Sequence, residues 1–206
     1  MLAKRSKLLE DIEFIIANPR AYAKNVRYTE SDLNRSYGLG LDTYEGQRAK
    51  VIEERIRLLK PELVLDFHTT TAEQPDILIT ADRNNEVVQR FINASAIKDN
   101  LVVSPLNDIT TVAQNFVAYE VPNSRLNDDL YEQICTDIER YLDGKMVDQE
   151  RTFYKMIGKI LPEEEKSIDG LENFVYNDEL QAIPSFLGSK GLWRSEERRV
   201  GKECRS

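Results

Sequence analysis

Apolar residues recur at helical spacing in two stretches of the chain. Ala49, Ile52, Ile56 and Leu59 predict a helix over Tyr44–Leu59, with Asp42 or Thr43 placed to cap its N-terminus. Leu130, Ile134, Ile138 and Leu142 predict a second helix over Asp128–Leu142. Between and around them lie short apolar runs bounded by polar residues or proline, which predict strands at Glu13–Ala17, Leu63–Leu65, Asp76–Thr80, Leu101–Ser104 and Asn115–Val121. Asn84–Ala96 reads as a further helix, and Met1–Glu10 as the last turns of another, with Leu2, Leu8 and Leu9 facing inward. Strand and helix alternate, so the expected class is α/β with a sheet covered on its faces. Leu63–Leu65 is apolar at every position and is expected to be buried on both faces.

After Gly144 the pattern changes to the strand-like Thr152–Leu161, an acidic Pro162–Lys166, and short strands over Phe174–Ile183. The expected organisation is an incomplete α/β domain over 1–145 and the start of a small β-rich domain over 150–193. Arg194–Ser206, RSEERRVGKECRS, has no apolar periodicity and looks like translated sequencing-adapter read-through, so it is expected to lie outside the fold as a non-native tail. The uncapped helix remnant at the start makes Met1 an expected internal methionine, with sequence missing upstream.

Charge changes what partners are possible. The chain carries 28 Lys and Arg against 36 Asp and Glu, a net charge of −8, which argues against a nucleic-acid partner. No run approaches eighteen apolar residues, so no membrane span is expected. Cys135 and Cys204 are too few and too isolated for a disulfide framework, which implies a reducing, cytoplasmic compartment. The sequence leaves oligomeric state open.

Candidate chemistry sits at three places. Glu62–Thr71, ELVLDFHTTT, ends an apolar run in Asp66, Phe67 and His68, the single histidine of the chain. A strand carrying an imidazole to its carboxyl end delivers it where open α/β sheets bind ligands. A lone histidine there is also ordinary scaffolding, so neighbours in space must decide. The long polar segment up to Thr43 holds Arg27, Asp32, Asn34 and Arg35, and arginine grips a carboxylate through two parallel hydrogen bonds. Glu120 lies inside FVAYEVP, a strand otherwise built for burial, and buried glutamates need a partner or a task.

NPRAY (Asn18–Tyr22), RYTESDLNRSY (Arg27–Tyr37), DFHTTT (Asp66–Thr71) and AYEV (Ala118–Val121) resemble, in order and spacing, the aspartoacylase and succinylglutamate desuccinylase family. The resemblance covers Met1 to about Leu142. It implies a three-layer, mixed-sheet α/β domain like that of the zinc carboxypeptidases, and a zinc-dependent hydrolase that cleaves the amide bond of a small anionic N-acyl amino acid. His68 would be one of three protein ligands of Zn2+. Glu120 would be the general base acting on the zinc-bound water, and Arg27 would polarise the scissile carbonyl. Asn34 and Arg35, with Arg27, would hold the substrate, and Asp32 would orient a ligand histidine.

The family's other two ligands come from a His-x-x-Glu pair, expected upstream of Met1, so the 206-residue chain is expected to be metal-poor and inactive. Thr110 and Thr111 stand where animal aspartoacylases carry a further substrate arginine. Two alternatives remain open at this stage: a non-catalytic carboxylate-binding protein, and a zinc carboxypeptidase acting on peptides.

Overall fold

The computed structural model describes residues 10–103, 109–160, 168–187 and 198–203, with 158–160 and 198–203 described by backbone alone. Helix α1 (Pro19–Lys24) starts where the sequence sets a proline behind an asparagine. Asn18 caps it by accepting from Ala21 N, and Asn25 ends it in the left-handed conformation at φ 52°. The long helix α2 (Tyr44–Leu59) is capped by Thr43, whose hydroxyl accepts from Gly46 N, and closed by Lys60 in the left-handed region. Of the two expected caps, Thr43 is the one used.

Among the described residues, seven strands form one mixed sheet. They are β1 (Val64–Thr70), β2 (Ile77–Thr80), β3 (Asp99–Val102), β4 (Phe116–Pro122), β5 (Thr152–Ile160), β6 (Ile183–Ser185) and β7 (Arg198–Glu203). Their order across the sheet is β1-β4-β2-β3-β5-β7-β6. β2, β3 and β5 run parallel, while β4 is antiparallel to β2, with Ile77 opposite Glu120. Helices α3 (Glu86–Ala94) and α4 (Asp128–Leu142) supply the amphipathic stripes. Val88, Phe91 and Ile92 of α3 and Leu130, Ile138 and Tyr141 of α4 are buried, as are Ile77, Leu78 and Tyr119 of the sheet. Phe91 meets Tyr119 and Tyr141 edge-on, with ring centroids 5.9 and 5.6 Å apart.

Chain contacts divide the molecule into two compact units, one of Met1–Val64 with Pro105–Phe116 and one of Leu65–Ser104 with Val117–Ser206. The mixed α/β class expected from the sequence is the class observed. β5 pairs with β3 and lies in the second unit.

Four local expectations are corrected. Glu13–Ala17 is not a strand: Phe14 is 67% exposed, and the carbonyls of Ile16 and Ala17 are taken by the Arg48 guanidinium at 3.0 Å. Apolar content alone does not make a strand without a neighbour to pair with. β1 is an edge strand and is not buried on both faces, Phe67 being 45% exposed. It also runs on to Thr70, so His68 lies within the strand and not at its end. Arg198–Glu203 of the supposed tail forms β7, held by backbone pairing with β5 and β6, which asks nothing of side-chain periodicity.

The expected helix over Met1–Glu10 lies outside the described residues apart from Glu10, as does Pro162–Lys166. Among the described residues, no helix is long and apolar enough to cross a membrane.

Candidate active site

The second unit sorts its side chains by strand parity. Phe67 of β1 stacks on Tyr119 of β4, with centroids 5.1 Å apart and planes at 20°. Tyr119 also donates its hydroxyl to Asp137 Oδ2 of α4 at 3.0 Å, so this is the helix-covered face. Successive side chains on a strand point to opposite faces. Asp66, His68 and Glu120 therefore share the other face. β1 and β4 start side by side, Val64 N donating to the Asn115 carbonyl at 2.8 Å, and are still adjacent at Phe67 and Tyr119. They thus run in the same direction. One residue further along each brings His68 level with Glu120, one strand spacing or about 5 Å across the sheet.

Asp66 Oδ2 lies 2.6 Å from His68 Nε2, two residues apart on one face of β1. Burial alone would raise the Asp66 carboxyl, but the imidazole beside it holds it below its ordinary value. This carboxylate lies against the ring of His68, whereas the sequence reading had given the orienting of a ligand histidine to Asp32.

The helix side of β4 carries a second carboxylate. Asp137 is fully buried, accepting from Ser95 Oγ at 2.7 Å, Ala96 N at 2.9 Å, Tyr119 OH and Arg140 Nη1 at 3.2 Å. Burial outweighs these donors and raises its pKa. Through Tyr119 and Phe67 the cluster braces both strands from behind.

The first unit holds the arginine-rich loop. Arg27 Nη2 pairs with Asp32 Oδ2 at 2.9 Å, while Asp32 Oδ1 caps a 3-10 turn over Leu33–Arg35 by accepting from Asn34 N at 3.0 Å. Asp32, expected beside a ligand histidine, thus has two partners within its own loop. Leu33 and Tyr37 are buried and anchor the loop, leaving Asn34 half-buried and Arg35 exposed. At the loop's far end, Thr111 Oγ1 is 3.9 Å from where a Cβ on Gly38 would stand. The structure therefore gathers Arg27, Asp32, Asn34 and Arg35 in one unit and His68 and Glu120 in the other.

Glu45 was missed by the sequence reading. Its carboxylate is fully buried and accepts from Asn18 Nδ2 at 3.1 Å, Thr29 N at 2.6 Å, Thr29 Oγ1 at 2.8 Å, Glu30 N at 3.1 Å and Ser31 N at 3.1 Å. Burial pushes its pKa up, but the hydrogen bonds led by Thr29 win and hold it at about 2, against an ordinary 4.5. The available signal was position: Glu45 and Glu53 fall on the same helical stripe as Ala49, Ile52 and Ile56, where a carboxylate is as odd as Glu120 is in its strand.

The donor set bears on whether a metal fits. Among the described residues, no group of three His, Cys, Asp or Glu side chains could hold a metal ion. His68 is one suitable donor, with its Nε2 committed to Asp66. A catalytic zinc takes three protein ligands, so the residues present do not fit a zinc site by themselves.

Residues 2–122 match the succinylglutamate desuccinylase/aspartoacylase catalytic domain. A probable aspartoacylase of Prochlorococcus marinus strain MIT 9515 is 37% identical over 84 residues, which span 37% of this chain and 28% of that protein. The fold is similar to the crystal structure of murine aminoacylase 3, with TM-score 0.63 and 19% identity over 92% of this chain and 82% of that one. It is also similar to succinylglutamate desuccinylase from Chromobacterium violaceum, with TM-score 0.68 and 16% identity over 93% of this chain and 72% of that one.

Proposed function

Because the chain belongs to the succinylglutamate desuccinylase/aspartoacylase catalytic-domain family, we propose that the reaction its site serves is hydrolysis of the amide bond of a small N-acyl amino acid in the cytoplasm, a reaction that the donors of these 206 residues do not complete by themselves. The observation that carries the reading is an imidazole and a carboxylate, His68 and Glu120, level with each other on one face of neighbouring strands. In this reading Glu120 takes a proton from the attacking water and passes it to the leaving amine. Arg27 stabilises the negative charge that builds on the carbonyl oxygen, with Asp32 holding its guanidinium. Asn34 and Arg35 grip a substrate carboxylate, the task for which a planar guanidinium is suited.

Zinc dependence is part of the proposal, with His68 as the ligand this chain contributes and Asp66 orienting it. Since one imidazole holds zinc weakly, the 206-residue chain itself is metal-poor and turns over no substrate. The same donor count supports one alternative, a carboxylate-binding protein that kept the arginine loop without the hydrolysis.

The test is metal analysis after dialysis against zinc, together with amine release from N-acetylaspartate and N-succinylglutamate. The expected result is zinc far below one per chain and no release. Stoichiometric zinc with turnover would overturn the single-ligand account.

A further inference from the structure

Glu45 sits in the first turn of α2, where an acidic side chain ordinarily stays in water and complements the helix dipole. Here it is 0% exposed and turned back onto the preceding loop. Three consecutive peptide N–H groups, of Thr29, Glu30 and Ser31, converge on its two oxygens, joined by Thr29 Oγ1 and Asn18 Nδ2. A carboxylate is the side chain suited to gather donors this densely, three on Oε1 and two on Oε2, since both oxygens accept and neither carries a proton.

The tie is reciprocal. Glu30 Oε2 accepts from Tyr44 N at 2.7 Å, and Ser31 Oγ meets Thr43 Oγ1 at 2.8 Å, so the loop also satisfies the first turn of the helix. Two helical turns on, Glu53 Oε1 accepts from Gly38 N at 2.7 Å. The segment from Thr29 to Gly38 is thus pinned at both ends by carboxylates from one helix face. Arg27 lies two residues before the first pin, and Asn34 and Arg35 lie between the two.

We propose that Glu45 is the positioning residue of the substrate grip: its charge fixes the Thr29–Ser31 turn and thereby the directions in which Arg27, Asn34 and Arg35 are presented. This rests on the reading of those three residues as the carboxylate grip. Bidentate recognition tolerates little misplacement, so a loop free to shift loses the alignment even with every gripping side chain intact. Glutamine at this position keeps the shape but turns an N–H2 toward peptide donors, which leaves at least one of them facing another donor. Glu45 touches no substrate and acts through the loop.

The experiment compares wild type, Glu45→Gln, Thr29→Ala and, as a control for lost stability elsewhere on α2, Ile52→Val. Two readouts are taken: hydrogen exchange at the Thr29, Glu30 and Ser31 amides, and calorimetric titration with N-acetylaspartate and N-succinylglutamate. Loss of charge-assisted hydrogen bonds predicts exchange about a hundredfold faster and binding about tenfold weaker in Glu45→Gln, with α2 still helical. Thr29→Ala, which keeps the backbone and removes one donor, shows the same change at about a third of that size or less, and covers the case in which Glu45→Gln does not fold. Ile52→Val lowers the unfolding midpoint and leaves both readouts at the wild-type value. Exchange and affinity in Glu45→Gln or Thr29→Ala that match Ile52→Val overturn the proposal. If wild type binds neither compound, the proposed substrate class fails, and unchanged exchange in Glu45→Gln would separately overturn the ordering of the loop.

Discussion

Acid should weaken the fold through Glu45. The carboxyl is held at about 2 against an ordinary 4.5, and each tenfold change in proton affinity is worth about 1.4 kcal/mol, so the charged form contributes about 3 kcal/mol to the folded state. The sign follows from which state binds the proton first. Above pH 4.5 the group is ionised both folded and unfolded, and the full contribution is present. As pH falls below 4.5 the unfolded chain takes up a proton that the folded one refuses, so stability drains away and is gone near pH 2. For a domain stable by roughly 5–15 kcal/mol this is a large share. Urea unfolding of wild type and Glu45→Gln at a series of pH values from 7 to 3 measures it directly. The gap between the two proteins should be about 3 kcal/mol at pH 7 and close steadily below pH 4.5. A gap that stays constant across that window would refute the assignment of the effect to the Glu45 charge.

Two further outcomes follow from the same contacts. Asp137→Ala strands Ser95 Oγ, Ala96 N and Tyr119 OH in the core and should cost about 3–5 kcal/mol in urea unfolding, with a much smaller loss in Asp137→Asn. Gly46→Ala should cost about 1–3 kcal/mol in thermal unfolding, because the new Cβ falls well inside van der Waals contact of the Leu41 carbonyl oxygen.

How much of this was legible in the sequence depends on what each element needs from elsewhere. α2 and α4 were read to the residue because their stripes and caps are local: Thr43 and Asn127 each hold an N–H of the helix they start. Glu13–Ala17 failed because a strand is a relation between segments, and its carbonyls found Arg48 instead. β7 was overlooked for the mirror-image reason, since backbone pairing formed it without an apolar pattern. His68 and Glu120 were each visible as a residue out of character with its strand. Their common face was not, because it rests on the Phe67–Tyr119 stack across two strands distant in sequence. Glu45 can be read as an ordinary first-turn acid, and its place on the stripe of Ala49 and Ile52 was the one signal against that; the donors that hold it come from the loop folded over it.

The central claim is that this chain recognises the carboxylate of an acyl amino acid through Arg35 and its loop. Titration of wild type and Arg35→Ala with N-succinylglutamate and N-acetylaspartate, at low and at moderate salt, tests it most directly. The account predicts saturable binding to wild type that weakens with salt and falls about tenfold or more in Arg35→Ala, since a bidentate charged contact is lost. Binding that is absent in wild type, or that survives unchanged in Arg35→Ala, would contradict it.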